Sequence, residues 1–177
     1  MSIWFTADLH LGHVNIIGLC SRPFATTPEM DVEIIRRWNA VVQPTDTVWV
    51  VGDFACRASR APQDYLAEMS GIKHLLLGNH DHENTRTAPG WASVQQLAEI
   101  VVESQRIVLC HYGLRVWPKS HRGALHIYGH SHGRLPGDRQ SLDVGVDCWD
   151  FRPVSLQEIQ RRLATLPPRG FQVKSPG

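Results

Sequence analysis

The chain has 177 residues and a formal net charge of +1, and 42% of its residues are hydrophobic. This length can bury one substantial core, so we expect a single domain over residues 1–166 and a C-terminal tail over residues 167–177. The small net charge gives no long-range field to attract extended nucleic acid or an acidic membrane surface. The composition is that of an ordinary globular protein and argues against a polyanion-binding one.

The four cysteines form no C-x-x-C pair, which argues against a zinc knuckle or a disulfide framework and predicts free thiols in a reducing compartment. Asp8 and His10 interrupt the first apolar run, so we expect neither a signal peptide nor a membrane anchor. No apolar stretch reaches the length of a membrane span. We therefore expect a cytoplasmic protein without a membrane partner, and the sequence leaves its oligomeric state open.

Short apolar runs rich in β-branched and aromatic residues recur along the chain. Because they are almost continuously apolar, they predict strands that are buried on both faces. The predicted strands cover residues 3–6, 47–51, 74–77, 106–110, 125–128 and 142–146. Two further β-rich runs flank Ser104 and Gln105 and predict a hairpin between residues 100 and 110. This hairpin would make the sheet mixed.

Helical patterns lie between several of these strands. Residues 28–42 carry an apolar stripe, and residues 61–70 begin with Pro62 in the first turn, where proline is favoured. A third helix is predicted to begin at Ser155, which forms a capping-box pattern with Glu158. Strands that alternate with helices in this way predict an α/β domain.

Side chains that can bind metals or titrate follow five of the predicted strands. They occur in the segments DLH, GDF, GNHD, CHYG and GHSH. The candidate ligands are Asp8, His10, Asp53, Asn79, His111, His130 and His132. Each residue alone could be an ordinary turn or core residue. In α/β folds, however, ligands bind beyond the carboxyl ends of strands, so five such segments predict one shared site.

The number and chemistry of these donors predict two metal ions. Seven donors exceed the usual ligand count of a single zinc site. Carboxylate and imidazole groups without thiolate suit manganese, iron or zinc. Two neighbouring ions need a shared ligand, and a carboxylate has two oxygens with which to bridge them. This reasoning selects Asp8 or Asp53 as the bridge.

The five segments, in this order, resemble the calcineurin-like metallophosphoesterase family, of the small single-domain bacterial or phage type. The family pattern is D-x-H, G-D, G-N-H-D or E, H, and G-H-x-H, and the match spans roughly residues 4–133. The resemblance implies an α/β fold of two packed mixed β-sheets flanked by helices. It further implies that the first metal is held by Asp8, His10, Asp53 and His132, and the second by Asp53, Asn79, His111 and His130. Asp53 would then be the bridge.

The resemblance also implies roles for two residues that are not ligands. His80 is similar to the family's histidine that faces the leaving group, and Asp81 is similar to the acid that orients it. Two ions lower the pKa of a shared water towards about 7, so hydroxide is the expected nucleophile. A protonated His80 could donate to the departing alkoxide. We expect manganese ions, with iron, zinc and nickel as alternatives.

The expected function is dinuclear, metal-dependent hydrolysis of a phosphoester small molecule or nucleotide. In a formal charge count, two dications, two aspartates and one hydroxide leave one positive charge, which favours a phosphodiester monoanion over a monoester dianion. The alternatives are a phosphomonoesterase acting on proteins or nucleotides, and a non-catalytic metal-binding scaffold of the same fold. The scaffold is disfavoured because Asp53 and His80 are both present.

Two residues outside these segments are candidates for substrate binding. Asn15 and Arg22 follow the first metal motif on a predicted loop over the site. Arginine suits bidentate contact with phosphate. The structural alternative for Arg22 is a surface turn formed with Pro23.

Overall fold

Two mixed β-sheets pack face to face and enclose a hydrophobic core. The structure, a computed structural model, describes residues 1–170. The strands are β1 (Ile3–Thr6), β2 (Thr47–Val51), β3 (Ile72–Leu76), β4 (Trp91–Gln95), β5 (Leu97–Val102), β6 (Gln105–Cys110), β7 (Leu125–Tyr128), β8 (Ser141–Asp143) and β9 (Val154–Ser155). The strand order is β4-β3-β2-β1-β9 in the first sheet and β5-β6-β7-β8 in the second. The expected fold of two packed mixed sheets is confirmed.

The first sheet is buried on both faces, as its apolar strands predict. Along β2, Val48 and Val50 contribute to a core beneath the helices, whereas Trp49 and Val51 contribute to the core between the sheets. Strands β1 to β4 pair in parallel, and β9 pairs antiparallel with β1. The carboxyl ends of the first three strands therefore lie at the same edge of this sheet.

The predicted hairpin joins β5 and β6. Val102 pairs with Gln105, and the two turn residues Glu103 and Ser104 have φ angles of 49° and 69°. Two consecutive residues with positive φ match the right-handed twist of an antiparallel hairpin. Strands β6, β7 and β8 continue the sheet in parallel, so the second sheet is also mixed.

Helices cover the outer face of the first sheet and one side of the core between the sheets. They are α1 (Val14–Leu19), α2 (Thr27–Val41), α3 (Pro62–Glu68), α4 (Glu83–Arg86) and α5 (Leu156–Thr165). The hydroxyl oxygen of Thr26 caps α2, and Ser155 and Glu158 form the predicted capping box of α5. Within residues 1–170, no helix is long and apolar enough to span a membrane.

The structure differs from the predicted elements in several places, and neither α4 nor β9 was predicted. Helix α1 was not predicted because it is short and buries only Ile16, which gives no apolar stripe. Strand β4 was not predicted because it lies at a sheet edge and is only half buried. The strand predicted over residues 142–146 ends at Asp143, and the chain turns into a 3₁₀ segment, Val146–Cys148. Residues 171–177 of the predicted tail lie outside the described residues.

Candidate metal centre

The strand ends bring the predicted ligands together from both sheets. In each of two triads the potential ligand atoms lie within 4.8 Å of one another: Asp8, His10 and His132 form one triad, and Asp53, His111 and His130 form the other. Asp8 and Asp53 follow β1 and β2 of the first sheet, whereas His111 and His130 follow β6 and β7 of the second. Packing of the two sheets therefore creates the cluster.

Asn79 adds a further donor atom beside the two histidines of the second triad. The Asn79 Oδ1 atom lies 3.1 Å from His111 Nε2 and 2.9 Å from His130 Nδ1. The other ring nitrogen of His111, Nδ1, lies 2.9 Å from the Val51 carbonyl oxygen and donates to it. This hydrogen bond leaves Nε2 as the ring nitrogen of His111 that is directed into the cluster.

His10 supplies the test of whether a cation fits the site. Its Nε2 atom is buried and has no hydrogen-bond partner, and it lies 3.4 Å from Asp53 Oδ2. An unsatisfied buried nitrogen is costly, and a cation bound between the imidazole and the carboxylate would satisfy both groups. Carboxylate, amide and imidazole donors without thiolate suit a divalent ion of intermediate hardness. The residues present therefore fit a metal centre.

Asp53 occupies the middle of the cluster. Its Oδ2 atom lies 3.4 Å from His10 Nε2 and 3.5 Å from His111 Nε2, which belong to different triads. Its Oδ1 atom accepts a hydrogen bond of 2.8 Å from the backbone N–H of His80. The second oxygen is thus free of backbone contacts and faces both histidines.

Burial and mutual charge shift the pKa values of the side chains in the cluster. Burial raises the pKa of Asp8 to about 7. Burial would also raise the pKa of Asp53, but the hydrogen bond and charge of His111 hold it at about 2. Burial would lower the pKa of His111, but Asp53 and Asp8 raise it to about 9. Burial lowers the pKa of His10 to about 3, so this ring is neutral at neutral pH. Binding of cations would displace the protons on Asp8 and His111.

Five of the predicted ligands adopt left-handed backbone conformations. The φ angles are 55° for Asp8, 52° for His10, 56° for Asp53, 67° for His130 and 48° for His132. This region is unfavourable for residues other than glycine, and such residues concentrate at functional sites where the surrounding structure enforces them. The left-handed turns direct consecutive donors of the DLH and GHSH segments towards the same point.

Two glycines allow the close approach of the strand ends. A Cβ atom on Gly78 would lie 2.2 Å from Asp53 Oδ1, and one on Gly52 would lie 2.2 Å from His111 Nδ1. Gly52 also has a φ angle of 90°. Any side chain at either position would push a candidate ligand out of the cluster. The glycines that precede Asp53 and Asn79 in the sequence therefore serve the packing of the site.

The structure does not place Asp81 in the role that the resemblance implies. Its carboxylate accepts hydrogen bonds from the backbone N–H groups of Asp53, Phe54 and Gly78, at 2.8 to 2.9 Å, and not from the His80 ring. The His80 Nδ1 atom instead lies 3.5 Å from the Cys56 thiol sulfur. Asp81 thus holds two strand ends together, and the Cys56 thiol lies against the His80 ring.

The two candidate substrate-binding residues lie in different environments. Asn15 is exposed on α1. Arg22 is 4% exposed, and its guanidinium is bound to the Asp147 carboxylate and to the carbonyl oxygens of Asp8 and Leu9. The expected substrate contact of Arg22 is not supported, because every nitrogen of its guanidinium already has a protein partner. Asp147, which also contacts His132, was missed because no motif surrounds it.

Comparisons with known proteins bear on the family of this chain. A family model described as calcineurin-like phosphoesterase matches residues 1–150. An uncharacterized protein of Methanocaldococcus jannaschii is 28% identical over 170 residues, which cover 91% of this chain and 90% of that protein. The gene 66 protein of Mycobacterium phage L5 is 28% identical over 191 residues, and the match covers 88% of this chain and 91% of that protein.

A solved structure supports the fold. The crystal structure of a protein of unknown function from Aquifex aeolicus superposes with a TM-score of 0.71 and 23% sequence identity, and the match covers 91% of this chain and 98% of that one. At this identity the likeness concerns the fold alone. The family model, in contrast, spans all five metal-binding segments. This chain therefore belongs to the calcineurin-like phosphoesterase family.

Proposed function

We propose that the protein hydrolyses phosphoesters with two divalent metal ions held in the cluster. The observation that carries this proposal is the position of Asp53 Oδ2 between His10 Nε2 and His111 Nε2, at 3.4 and 3.5 Å. An oxygen that faces imidazoles of two separate triads is suited to bridge two ions. A single ion would leave one of the two triads without a function.

The proposed ligand sets follow the two triads. Asp8, His10 and His132 would hold the first ion, and Asn79, His111 and His130 would hold the second, with Asp53 placed to serve both. The oxygen and nitrogen donors fit manganese, with iron, zinc or nickel as alternatives. Such ions supply the Lewis acidity that activates water and neutralises phosphoryl oxygens.

His80 is the proposed proton donor to the leaving group. Its ring centroid lies 5.1 Å from that of His10 and 5.8 Å from that of His13, so it stands beside the candidate ligands. It is half buried, which leaves one edge of the ring accessible to a substrate. Protonated imidazole can transfer a proton to the departing alkoxide, a contribution typically worth about 10²- to 10⁴-fold in rate.

We favour a phosphodiester as the substrate, on the formal charge of a centre with two dications and two aspartates. A second candidate, phosphomonoester hydrolysis, is favoured by one observation. Arg57 is exposed beside Cys56, and its charge adds to burial and to His80 in lowering the pKa of His13 at the rim of the cluster. An added positive charge at the rim would suit a dianionic monoester.

Small phosphoesters or nucleotides fit either case. We place the protein in the cytoplasm, where its four free thiols would stay reduced.

The experiment that tests the proposal measures hydrolysis after metal removal. The protein is dialysed against a chelator, reconstituted with Mn²⁺, and assayed with a bis-aryl phosphodiester and with the matching aryl phosphomonoester. We expect chelation to abolish hydrolysis, Mn²⁺ to restore it, and two ions to bind per chain. Hydrolysis that is indifferent to chelation, or reconstitution with a single ion, would contradict the dinuclear centre.

The variant Asp53→Asn tests the bridge. Because one oxygen would serve both ions, we expect occupancy to fall at both positions. A loss confined to one ion would contradict the bridging role. Glu158→Gln is the matched control, since Glu158 forms its ion pair with Arg152 at the start of α5. It should leave the metal content at the parental value.

A further inference from the structure

We propose that Asp147 and Arg22 form a positioning pair that orients His132 and fixes the turn after β1 for the first metal position. The inference rests on the proposed metal centre and extends it to two residues outside the five metal-binding segments. It assigns Arg22 a role within the protein fold in place of the expected substrate contact. Neither residue belongs to the two proposed ligand sets, so both act through the ligands that they hold.

Asp147 contacts His132 and Arg22 at the same time. Its Oδ2 atom accepts a hydrogen bond of 2.7 Å from His132 Nδ1. Its two oxygens also accept hydrogen bonds from Arg22 Nε and Nη2, each at 2.8 Å. The side chains of Arg22 and Asp147 are 0% and 10% exposed. The three side chains thus form a connected, nearly buried network.

Arg22 extends this network to the backbone that carries the other ligands of the first triad. Its Nη2 atom donates to the Asp8 carbonyl oxygen at 2.7 Å, and its Nη1 atom donates to the Leu9 carbonyl oxygen at 2.8 Å. These carbonyls lie in the turn that presents Asp8 and His10, both of which have positive φ angles. Such a backbone persists only where its surroundings enforce it, and the guanidinium supplies part of that constraint.

The backbone holds Asp147 in place from the other side. The 3₁₀ segment Val146–Cys148 is bound to the end of β1, because the Val146 N–H donates to the Ala7 carbonyl oxygen at 3.0 Å and Ala7 forms a parallel bridge with Gly145. Asp147 therefore occupies a fixed position relative to the DLH turn. The Arg22–Asp147 ion pair thus links His132 to that turn.

The hydrogen bond selects the ring nitrogen of His132 that faces the cluster. When Asp147 accepts from Nδ1–H, the neutral ring carries its lone pair on Nε2. Carboxylate partners of this kind fix the tautomer and orientation of metal-binding histidines, and their loss typically lowers metal affinity by about 10- to 100-fold. Lysine could not replace Arg22, because three guanidinium nitrogens bind in one plane to a carboxylate and two carbonyls.

The test compares metal binding by Asp147→Asn, Arg22→Lys and the control Glu158→Gln, measured by equilibrium dialysis against Mn²⁺ and elemental analysis. We expect both network variants to bind one of the two ions about 10- to 100-fold more weakly and to keep the other close to the parental affinity. The control breaks a more exposed ion pair with Arg152 away from the cluster and should bind both ions normally. Unchanged affinity for both ions in Asp147→Asn would overturn the proposal.

A second measurement does not depend on the variants being folded or on metal being bound. The ¹⁵N shifts of the His132 ring in the metal-free parental protein should show the Nδ1–H tautomer once the ring is neutral. The Nε2–H tautomer would overturn the assignment. Failure of the parental protein to bind two ions or to hydrolyse phosphoesters would instead contradict the proposed function, so the two failures are distinguishable.

Discussion

The Nδ1 atom of His80 lies 3.5 Å from the Sγ atom of Cys56, and Cys56 is 2% exposed. The neighbouring carboxylate of Asp81 is bound instead to three backbone N–H groups. The proposed proton donor is therefore oriented by a thiol. A thiol is a weak hydrogen-bond acceptor, so the contact should hold the ring less firmly than a carboxylate would.

We predict that Cys56→Ala lowers turnover on the order of 10-fold for phosphoesters with poor leaving groups, because a misoriented His80 loses part of its acid catalysis. The effect should shrink for activated aryl esters, whose leaving groups need no proton. Cys56→Ser, which keeps a hydrogen-bonding group at this position, should recover part of the loss. Steady-state kinetics across leaving groups of increasing pKa provide the measurement, and an equal loss for all leaving groups would contradict this role.

We predict that His80→Ala retains both metal ions and loses about 10²- to 10⁴-fold in turnover, with the largest loss for poor leaving groups. The reason is that His80 stands next to His10 but contributes no donor to the two ligand sets proposed above. His82→Ala is the matched control, since His82 is exposed two residues further along. If elemental analysis showed that His80→Ala loses metal, His80 would itself be a ligand. Its position close to His10 and Asp53 is compatible with that role.

The sequence identified the cluster because its signal is local. Each candidate ligand stands shortly after an apolar run, and the rule that strand ends converge predicts that Asp8 and Asp53 lie at one edge of a sheet. His111 joins them through the packing of the second sheet. The partner of Asp81 could not be predicted in the same way. After β3 the chain turns sharply, and successive side chains of the GNHD segment leave in different directions, so adjacency to His80 in sequence did not become contact in space.

The network around Asp147 could not be predicted from the sequence, for a different reason. Asp147 and Arg22 are separated by 125 positions, and neither stands beside a glycine-rich turn or within a metal motif. The expected strand over residues 142–146 even ended just before Asp147. Left-handed φ angles at His10 and His132 were likewise beyond prediction, because this conformation is uncommon for histidine, although less rare than for most residues, and the packing of the site enforces it.

We predict that Asp81→Asn destabilises the metal-free protein by about 2 kcal/mol or more, because hydrogen bonds to a charged acceptor are each worth about 1.5 to 3 kcal/mol. The amide would also present an NH₂ group to a backbone N–H of Asp53, Phe54 or Gly78. Chemical denaturation measures the free energy of unfolding, with the exposed Glu99→Gln as control. If Asp81→Asn kept the parental stability but lost turnover as His80→Ala does, Asp81 would instead be the acid that orients His80.

We predict that Arg57→Ala raises the KM for a phosphomonoester more than the KM for a phosphodiester. Arg57 is exposed at the rim, and a dianion gains more from its charge than a monoanion does. Arg106→Ala, at an exposed position on β6, is the matched control. Equal KM changes for both substrate types would mean that Arg57 does not contribute to the choice between them.

The stability of the metal-free protein should fall as the pH rises from about 7 to about 9. The pKa of His111 is raised to about 9 in the folded protein, chiefly because Asp53 outweighs the effect of burial, whereas an unfolded histidine titrates near 6.5. The stabilisation from its proton is complete below the unfolded pKa and is lost as the pH passes through the folded pKa. The pKa of His132 is also raised, by Asp147 and Asp8 against the effect of burial, and contributes in the same direction.

Other groups of the cluster titrate outside this range. The raised pKa of Asp8, about 7, affects the free energy of unfolding between the pKa of an unfolded carboxyl group and neutral pH. The lowered pKa of His10, about 3, affects it at acidic pH. Thermal melts of the chelator-treated protein should therefore show a lower Tm at about pH 9 than at about pH 7. Saturating Mn²⁺ should weaken this dependence, because the ions bind the deprotonated histidines. A metal-free Tm that stays constant or rises over this interval would show that His111 does not hold its extra proton against Asp53.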